Sequence, residues 1–478
     1  MIENKKTWLL NESFDDGLKH WETFGSVRRF MNDNGKFSVE LGPNGGSLSQ
    51  EHWVDGLEVV WLGTSLISES SGQGIDLKLE CLDRNGKVIL ARTSKQRIEK
   101  SAGIYLRTHA FTKRIRITVS VSDKCKATIN SVLLTKDGNG QATHPMMLPL
   151  ERLMQPLWKS SFVFAEAVLL VGKDGFPAQG RLARIPSEVI SVTDSTTMTT
   201  YISDRDFKIT SNRIEALPHS RIPVMSQSEF ATGKFPWTRT DGRHIFVTYK
   251  TTKPWRGPVP RPQGSNLTGT TARIAKKHPV RIVAFGDSIT QGVNVSGFLN
   301  QAPYIPDWPT LAAMQLRAIY KTQDITLTNV SLGGQTSSWA KENVGDVVLP
   351  LKPNIVCIAF GMNDFWTIEP DQFEKNIVDT ITTIRKSAPS TEIILVSPMW
   401  FAPSYTDDET YIRRFLGYGA RLRSLAASGI AHIDMSSMSK QLYAMKHFQD
   451  FTTDPMHPND YFSRWHAQCL VRTIGQHE

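Results

Sequence analysis

The sequence predicts a multidomain chain: all-β, jelly-roll-like structure through the amino-terminal half, then a carboxyl-terminal domain built around a parallel sheet. Three observations carry this. From about residue 7 to 138, apolar and polar side chains alternate with the period of a strand, and no helical period of useful length interrupts them. From about residue 276 the pattern changes, and short apolar runs alternate with amphipathic stretches of helical spacing. Finally, 478 residues exceed one ordinary domain; the length suggests about three.

The first region, 1–140, reads as strands at GLEVVWLGTSL, IDLKLECLD, RNGKVILAR, RIRITVSVS and ATINSVLLTKD, with Asp83-Arg84-Asn85-Gly86-Lys87 as a hairpin turn. Its opening, FDDGLKHW (Phe14–Trp21), and its strand pattern resemble carbohydrate-binding modules. Trp8, Trp21, Trp53 and Trp61 are either a platform for sugar rings or part of a sandwich core.

A second β-rich region, 146–270, comes after a Gly- and Asn-containing linker. Strands are expected at FVFAEAVLLV, SEVISVTD, FKIT and HIFVTYK, and the Pro- and Gly-rich KPWRGPVPRPQGS closes the region. It is either a separate domain or an extension packed on the carboxyl-terminal domain. No convincing internal repeat links the two β regions.

In 276–478, strands are expected at RIVAF, ITLTNVS, NIVCIAF, EIILVS and IAHIDM. Helices are expected at DWPTLAAMQLRAIYK, PDQFEKNIVDTITTIRKSA, ETYIRRFLGYGARLRSLAAS, SSMSKQLYAMKHF and YFSRWHAQCLVRTI. The first strand ends in Gly286-Asp287-Ser288, at the carboxyl edge where open α/β sheets place their chemistry. Alone, GDS is a weak signal, because a serine after a glycine commonly sits in a turn or caps a helix. Three further blocks succeed it in order: NVSLGGQTS (Asn329–Ser337), IVCIAFGMND (Ile355–Asp364) and DPMHPND (Asp454–Asp460). Together these four blocks resemble the SGNH (GDSL) hydrolase superfamily, and the β-rich appendages resemble its acetylxylan esterase and carbohydrate acetylesterase members. The resemblance implies a flavodoxin-like α/β/α domain and serine-dependent ester hydrolysis.

The residue types suit that chemistry. A serine is unreactive at its own pKa and needs a base within hydrogen-bond reach; His457 qualifies because imidazole exchanges protons near neutrality. Asp454, on the same short loop, can accept from the other ring nitrogen and fix the tautomer. The G-x-S-x-G elbow of α/β-hydrolases is absent. The resemblance further implies an oxyanion hole made by the backbone N–H groups of Ser288 and Gly334 and the Asn363 side chain. Gly334 is preferred to Gly333 because the family's glycine precedes x-Thr, as Gly334 precedes Gln335-Thr336. Asp287 and Asp364 read as structural carboxylates, and His432 and His447 as structural histidines. Without a cluster at metal-ligand spacing, no metal and no cofactor are expected.

Composition narrows the partners. A net charge of +9 is modest, and the basic residues are scattered rather than interleaved with aromatics, which disfavours nucleic acid. The sequence shows neither an apolar leader nor a long apolar run, so the expectation is a cytoplasmic protein off the membrane, or a secreted one whose leader preceded the numbering. Cys357 and Cys469 read as small buried hydrophobes, whereas pairing of Cys81 with Cys125 is open. Trp308, Trp339, Trp366 and Trp400 fall on or near loops on the expected site face. The expected activity is removal of acetyl or other small acyl groups from a carbohydrate such as acetylated xylan or an oligosaccharide. A broad carboxylesterase and a glycan-binding protein with a spent hydrolase domain are the alternatives, and a homo-oligomer is open.

Overall fold

The computed structural model describes residues 9, 13–31, 36–54, 59–67, 74–97, 101–107, 112–121, 127–136, 146–172, 176–227, 229, 242–299, 301–401 and 408–475. The chain divides into two compact units, Met1–Thr143 and His144–Glu478.

The first unit contains the strands β1 (Glu22–Met31), β2 (Phe37–Trp53), β3 (Val59–Ile67), β4 (Gly74–Leu82), β5 (Val88–Arg97), β6 (Ser101–Arg107), β7 (Arg114–Val121) and β8 (Ala127–Lys136). They run antiparallel in the order β5-β4-β7-β2-β8-β3-β6, with β1 also on β2. The long β2 joins two groups: its first half pairs with β8 at Val39–Leu41, its second half with β7 at Ser47–Trp53. Because β6 comes back against β4 and β5, the groups face each other across one core. Ile115, Ile117 and Val119 on β7 are fully buried while the residues between them face outward, the period-two pattern the sequence displays. At the β4–β5 hairpin, Asp83 Oδ1 accepts from the N–H groups of Asn85 and Lys87, and Gly86 takes φ +81°.

Trp21 belongs to this core, 5.8 Å from Phe14 between ring centroids. Trp53 is 70% exposed beside Arg114. Trp8, the side chain of Trp61 and Cys125 lie outside the described residues, and with Cys125 the question of its pairing with Cys81.

The second unit begins with two small sheets. Their strands are β9 (Phe162–Leu169), β10 (Val171–Gly172), β11 (Gln179–Arg181), β12 (Glu188–Asp194), β13 (Thr200–Tyr201), β14 (Phe207–Thr210), β15 (Arg213–Ala216), β16 (Met225–Ser226) and β17 (His244–Lys250), in the orders β14-β15-β11-β10-β16 and β13-β12-β17-β9. The parallel sheet comes next: β18 (Val280–Gly286), β19 (Ile325–Asn329), β20 (Ile355–Ala359), β21 (Glu392–Val396) and β22 (Ile430–Ile433), ordered β19-β18-β20-β21-β22. All residues of β20 and β21 are buried, as a sheet covered on both faces requires. Helix Trp308–Tyr320 packs with Asp460–Ile474, and helix Pro370–Ser387 packs with both Ser337–Val347 and Glu409–Ser424. This is the α/β/α domain expected. The sheet grows from β18 first to β19 on one side and then to β20 on the other.

The second β region shares this compact unit. Arg464 of the last helix is buried and donates to the carbonyls of Leu153, Phe164 and Ala165. His244 of β17 lies 2.6 Å from the Gln449 carbonyl through Nε2.

Candidate active site

The site is assembled at the carboxyl ends of β18 and β20, the switch point where crevices open in such sheets. Gly286 ends β18 where a side chain has no room: a Cβ there would meet the Ala359 carbonyl at 2.5 Å and Thr290 Oγ1 at 2.6 Å. Asp287 then caps the short helix Ser288–Gln291 by accepting from the Ile289 N–H, and Gly292 terminates it at φ +86°. Ser288 is thereby presented at the first position of the helix.

His457 arrives from the far end of the chain, on the loop before helix Asp460–Ile474. Ser288 Oγ lies 2.9 Å from His457 Nε2, and His457 Nδ1 lies 2.9 Å from Asp454 Oδ2. A carboxylate can only accept, so Nδ1 carries the proton and Nε2 is left to accept from the serine hydroxyl. Asp454 Oδ1 also accepts from the N–H groups of Met456 and His457. Burial pushes the Asp454 carboxyl up, but the bonds from His457 and the backbone outweigh it and hold its pKa below the usual value.

Gly334 takes φ +78° with open space where a Cβ would stand, whereas Gly333 donates to Gln291 Oε1 at 2.9 Å and lies against Ser288. Asn363 comes after β20 and donates one amide hydrogen to the Gln335 carbonyl at 2.9 Å, which leaves the second hydrogen available. Among the described residues, none accepts from the N–H of Ser288 or Gly334. The predicted residues thus fall into two groups: Ser288, His457 and Asp454 in direct hydrogen-bond contact, and Gly334 and Asn363 on the two loops around Ser288. The arrangement can move a proton from a serine hydroxyl to an imidazole and offers donors for a developing negative charge.

Asp287 and Asp364 are buried and bond backbone. Burial raises Asp287 to about 7, helped by the charge of Asp364 and opposed by the N–H groups of Ile289 and Met362. Burial likewise raises Asp364 to about 6 against its bonds from Ser337. His432 lies within β22, and burial pushes it down to about 4. His447 caps the turn Phe448–Asp450 rather than lying on a helix, and burial pushes it down to about 4. Of the four tryptophans on this side, Trp308 is buried against His466, Trp339 packs on Phe285, and Trp400 stacks on Phe415 at 5.2 Å. Trp366 is 36% exposed. Two residues not singled out from the sequence complete the surroundings: Gln291, which holds Gly333, and Asn294, which donates to Asp454 Oδ2 at 2.7 Å. Neither carries a motif. Among the described residues, no group of three or more His, Cys, Asp or Glu side chains could hold a metal ion, and no helix is long and apolar enough to cross a membrane.

Residues 284–464 match the sequence model of the GDSL-like Lipase/Acylhydrolase family. The matched span holds the Ser288, Gly334, Asn363 and Asp454–His457 blocks together. Solved structures similar to this chain include a GDSL-like lipase from Parabacteroides merdae, at 17% identity and a TM-score of 0.36, covering 41% of this chain and 95% of that one. Another is an acetylxylan esterase from Geobacillus stearothermophilus, at 18% identity and a TM-score of 0.35, with the same coverage of 41% and 95%. No curated protein matches the chain.

Proposed function

We propose that the GDSL-like domain is a serine esterase that removes acetyl or other small acyl groups from carbohydrates. The observation that carries the esterase reading is the run of hydrogen bonds from Ser288 Oγ through His457 to Asp454, each step at 2.9 Å. Ser288 Oγ attacks the ester carbonyl while His457 Nε2 takes its proton. Asp454 stabilises the imidazolium, and the N–H groups of Ser288 and Gly334 with the Asn363 amide hold the oxyanion. His457 then gives the proton to the departing sugar oxygen as its bond to the acyl carbon breaks, which frees the sugar hydroxyl and leaves an acyl-serine. Water repeats the sequence on the acyl-serine, releasing acetate and restoring the serine.

The carbohydrate half of the reading is supported by Trp366. It lies just beyond Asn363 in the chain, keeps one third of its surface exposed, stacks on Phe365 at 4.6 Å and meets Tyr411 edge-on at 5.0 Å. A rigid, partly open aromatic suits the apolar face of a sugar ring. An acyl chain-length series on nitrophenyl esters tests the acyl half: activity should peak at acetyl, and a peak at octanoyl or longer would replace this reading with a lipid-directed esterase.

A further inference from the structure

The hydrogen bonds of the site close on themselves through a residue that no block contains. Asp454 Oδ2 accepts from two side chains, His457 Nδ1 at 2.9 Å and Asn294 Nδ2 at 2.7 Å. Its other oxygen takes the Met456 and His457 N–H groups at 2.8 Å and 2.9 Å, so both oxygens are committed and the carboxylate has no freedom to rotate.

Asn294 comes from the nucleophile's own turn. After Ser288 the chain folds back through Gly292 and Val293, whose N–H groups donate to the Ser288 carbonyl at 3.1 Å and 3.0 Å, and Val295 donates to the Gly292 carbonyl at 3.1 Å. Asn294 sits in this turn at φ +72°, a left-handed conformation that asparagine tolerates better than most residues with a Cβ. The backbone that presents Ser288 to His457 from one side therefore reaches Asp454 from the other.

We propose that Asn294 is a positioning residue for this site, tying the Asp454 carboxylate to the Ser288 turn so that nucleophile, base and acid are held in one closed ring. The proposal rests on the serine-esterase reading above. It has an electrostatic consequence besides the geometric one. The Asn294 amide offsets part of the Asp454 charge; without it, more negative charge faces His457 and favours the imidazolium. Asp287, the other carboxyl that interacts with His457, is untouched by the change.

Two variants separate positioning from plain structural support. Asn294→Gly keeps the left-handed backbone at no steric cost and deletes the amide. Asn294→Asp keeps the shape and replaces the donor by an acceptor. Both are assayed on nitrophenyl acetate across pH beside wild type and Ser288→Ala, with thermal melts on each. The expected result for Asn294→Gly is a fall in kcat of about tenfold with KM within about twofold. The acid limb of kcat/KM should move up by about half a pH unit, and further in Asn294→Asp. A folded variant with wild-type kcat and an unmoved limb overturns the proposal, and so does a lower kcat with the limb unmoved. If Asn294→Gly fails to fold, Asn294→Asp decides on the same criteria. Failure of the esterase reading itself shows separately, as activity surviving in Ser288→Ala.

Discussion

Lys446 Nζ reaches Glu166 Oε1 at 2.6 Å with both side chains wholly withdrawn from solvent. Lys446 also donates to the Ala167 carbonyl at 2.6 Å, and Glu166 accepts from Tyr249 at 2.7 Å and from the Ala183 N–H at 2.8 Å. Asp450, four residues after Lys446, takes the Leu169 N–H at 2.7 Å. This network fastens the loop that leads to Asp454 and His457 onto β9 and β17. The second β region is therefore part of the scaffold behind the site.

Removing one member of a buried ion pair leaves the other charge uncompensated. Glu166→Gln should lower the stability of the second unit by about 3–5 kcal/mol. Glu166→Gln combined with Lys446→Met should recover part of that loss, because the lysine charge is no longer left without Glu166, while Asp450, 3.7 Å from the same Nζ, gives up its cation. Urea unfolding of the single and double variants checks this; a double variant no more stable than the single would sink the idea.

In the proposed mechanism Asn363 is one of three donors to the oxyanion, and its side chain is anchored by the bond to Gln335. Asn363→Ala should reduce kcat on nitrophenyl acetate by about a hundredfold or more, with KM little changed. A loss confined to KM would place the amide in ground-state binding instead.

Asp287 carries a pH signature. Its folded pKa is raised by burial to about 7 from an ordinary 3.8. Proton binding thus favours the folded state: that stabilisation is complete below the unfolded value and disappears as pH rises through the folded one. Asp287→Asn cannot ionise, so its stability relative to wild type should improve between pH 5 and pH 8, whatever hydrogen-bond loss it carries at both. Denaturation midpoints at the two pH values give the sign, and a relative stability that worsens toward pH 8 would contradict the assignment.

Trp366→Ala should raise KM for acetylated oligosaccharides several-fold while leaving nitrophenyl acetate nearly unaffected, since only the former has a sugar ring to stack. Steady-state kinetics on both substrates distinguish this from a packing role, which would depress both alike.

The blocks around Ser288, Gly334, Asn363 and His457 were legible because each terminates a strand or precedes a helix, where local sequence and fold position coincide. The five parallel strands were equally visible as apolar runs. Asn294 was not: a single residue in a left-handed turn leaves no periodic trace, and its partner lies 160 positions away. The Glu166–Lys446 pair hid for the same reason: its members lie 280 positions apart, and nothing in the apolar strand FVFAEAVL around the glutamate names its partner. Short strands such as β10, β13 and β16 have two residues each, too few to show a period. Trp308 shows the converse: in the sequence it falls near a loop on the expected site face, and in the fold it is buried under the last helix.

The most direct test is acetate release from a panel of acetylated glycans by wild type and Ser288→Ala. The account predicts release from at least one glycan class by wild type and none by the variant. Release that persists in Ser288→Ala would contradict the assigned nucleophile. No release from any glycan, beside Ser288-dependent cleavage of nitrophenyl esters, would contradict the carbohydrate substrate.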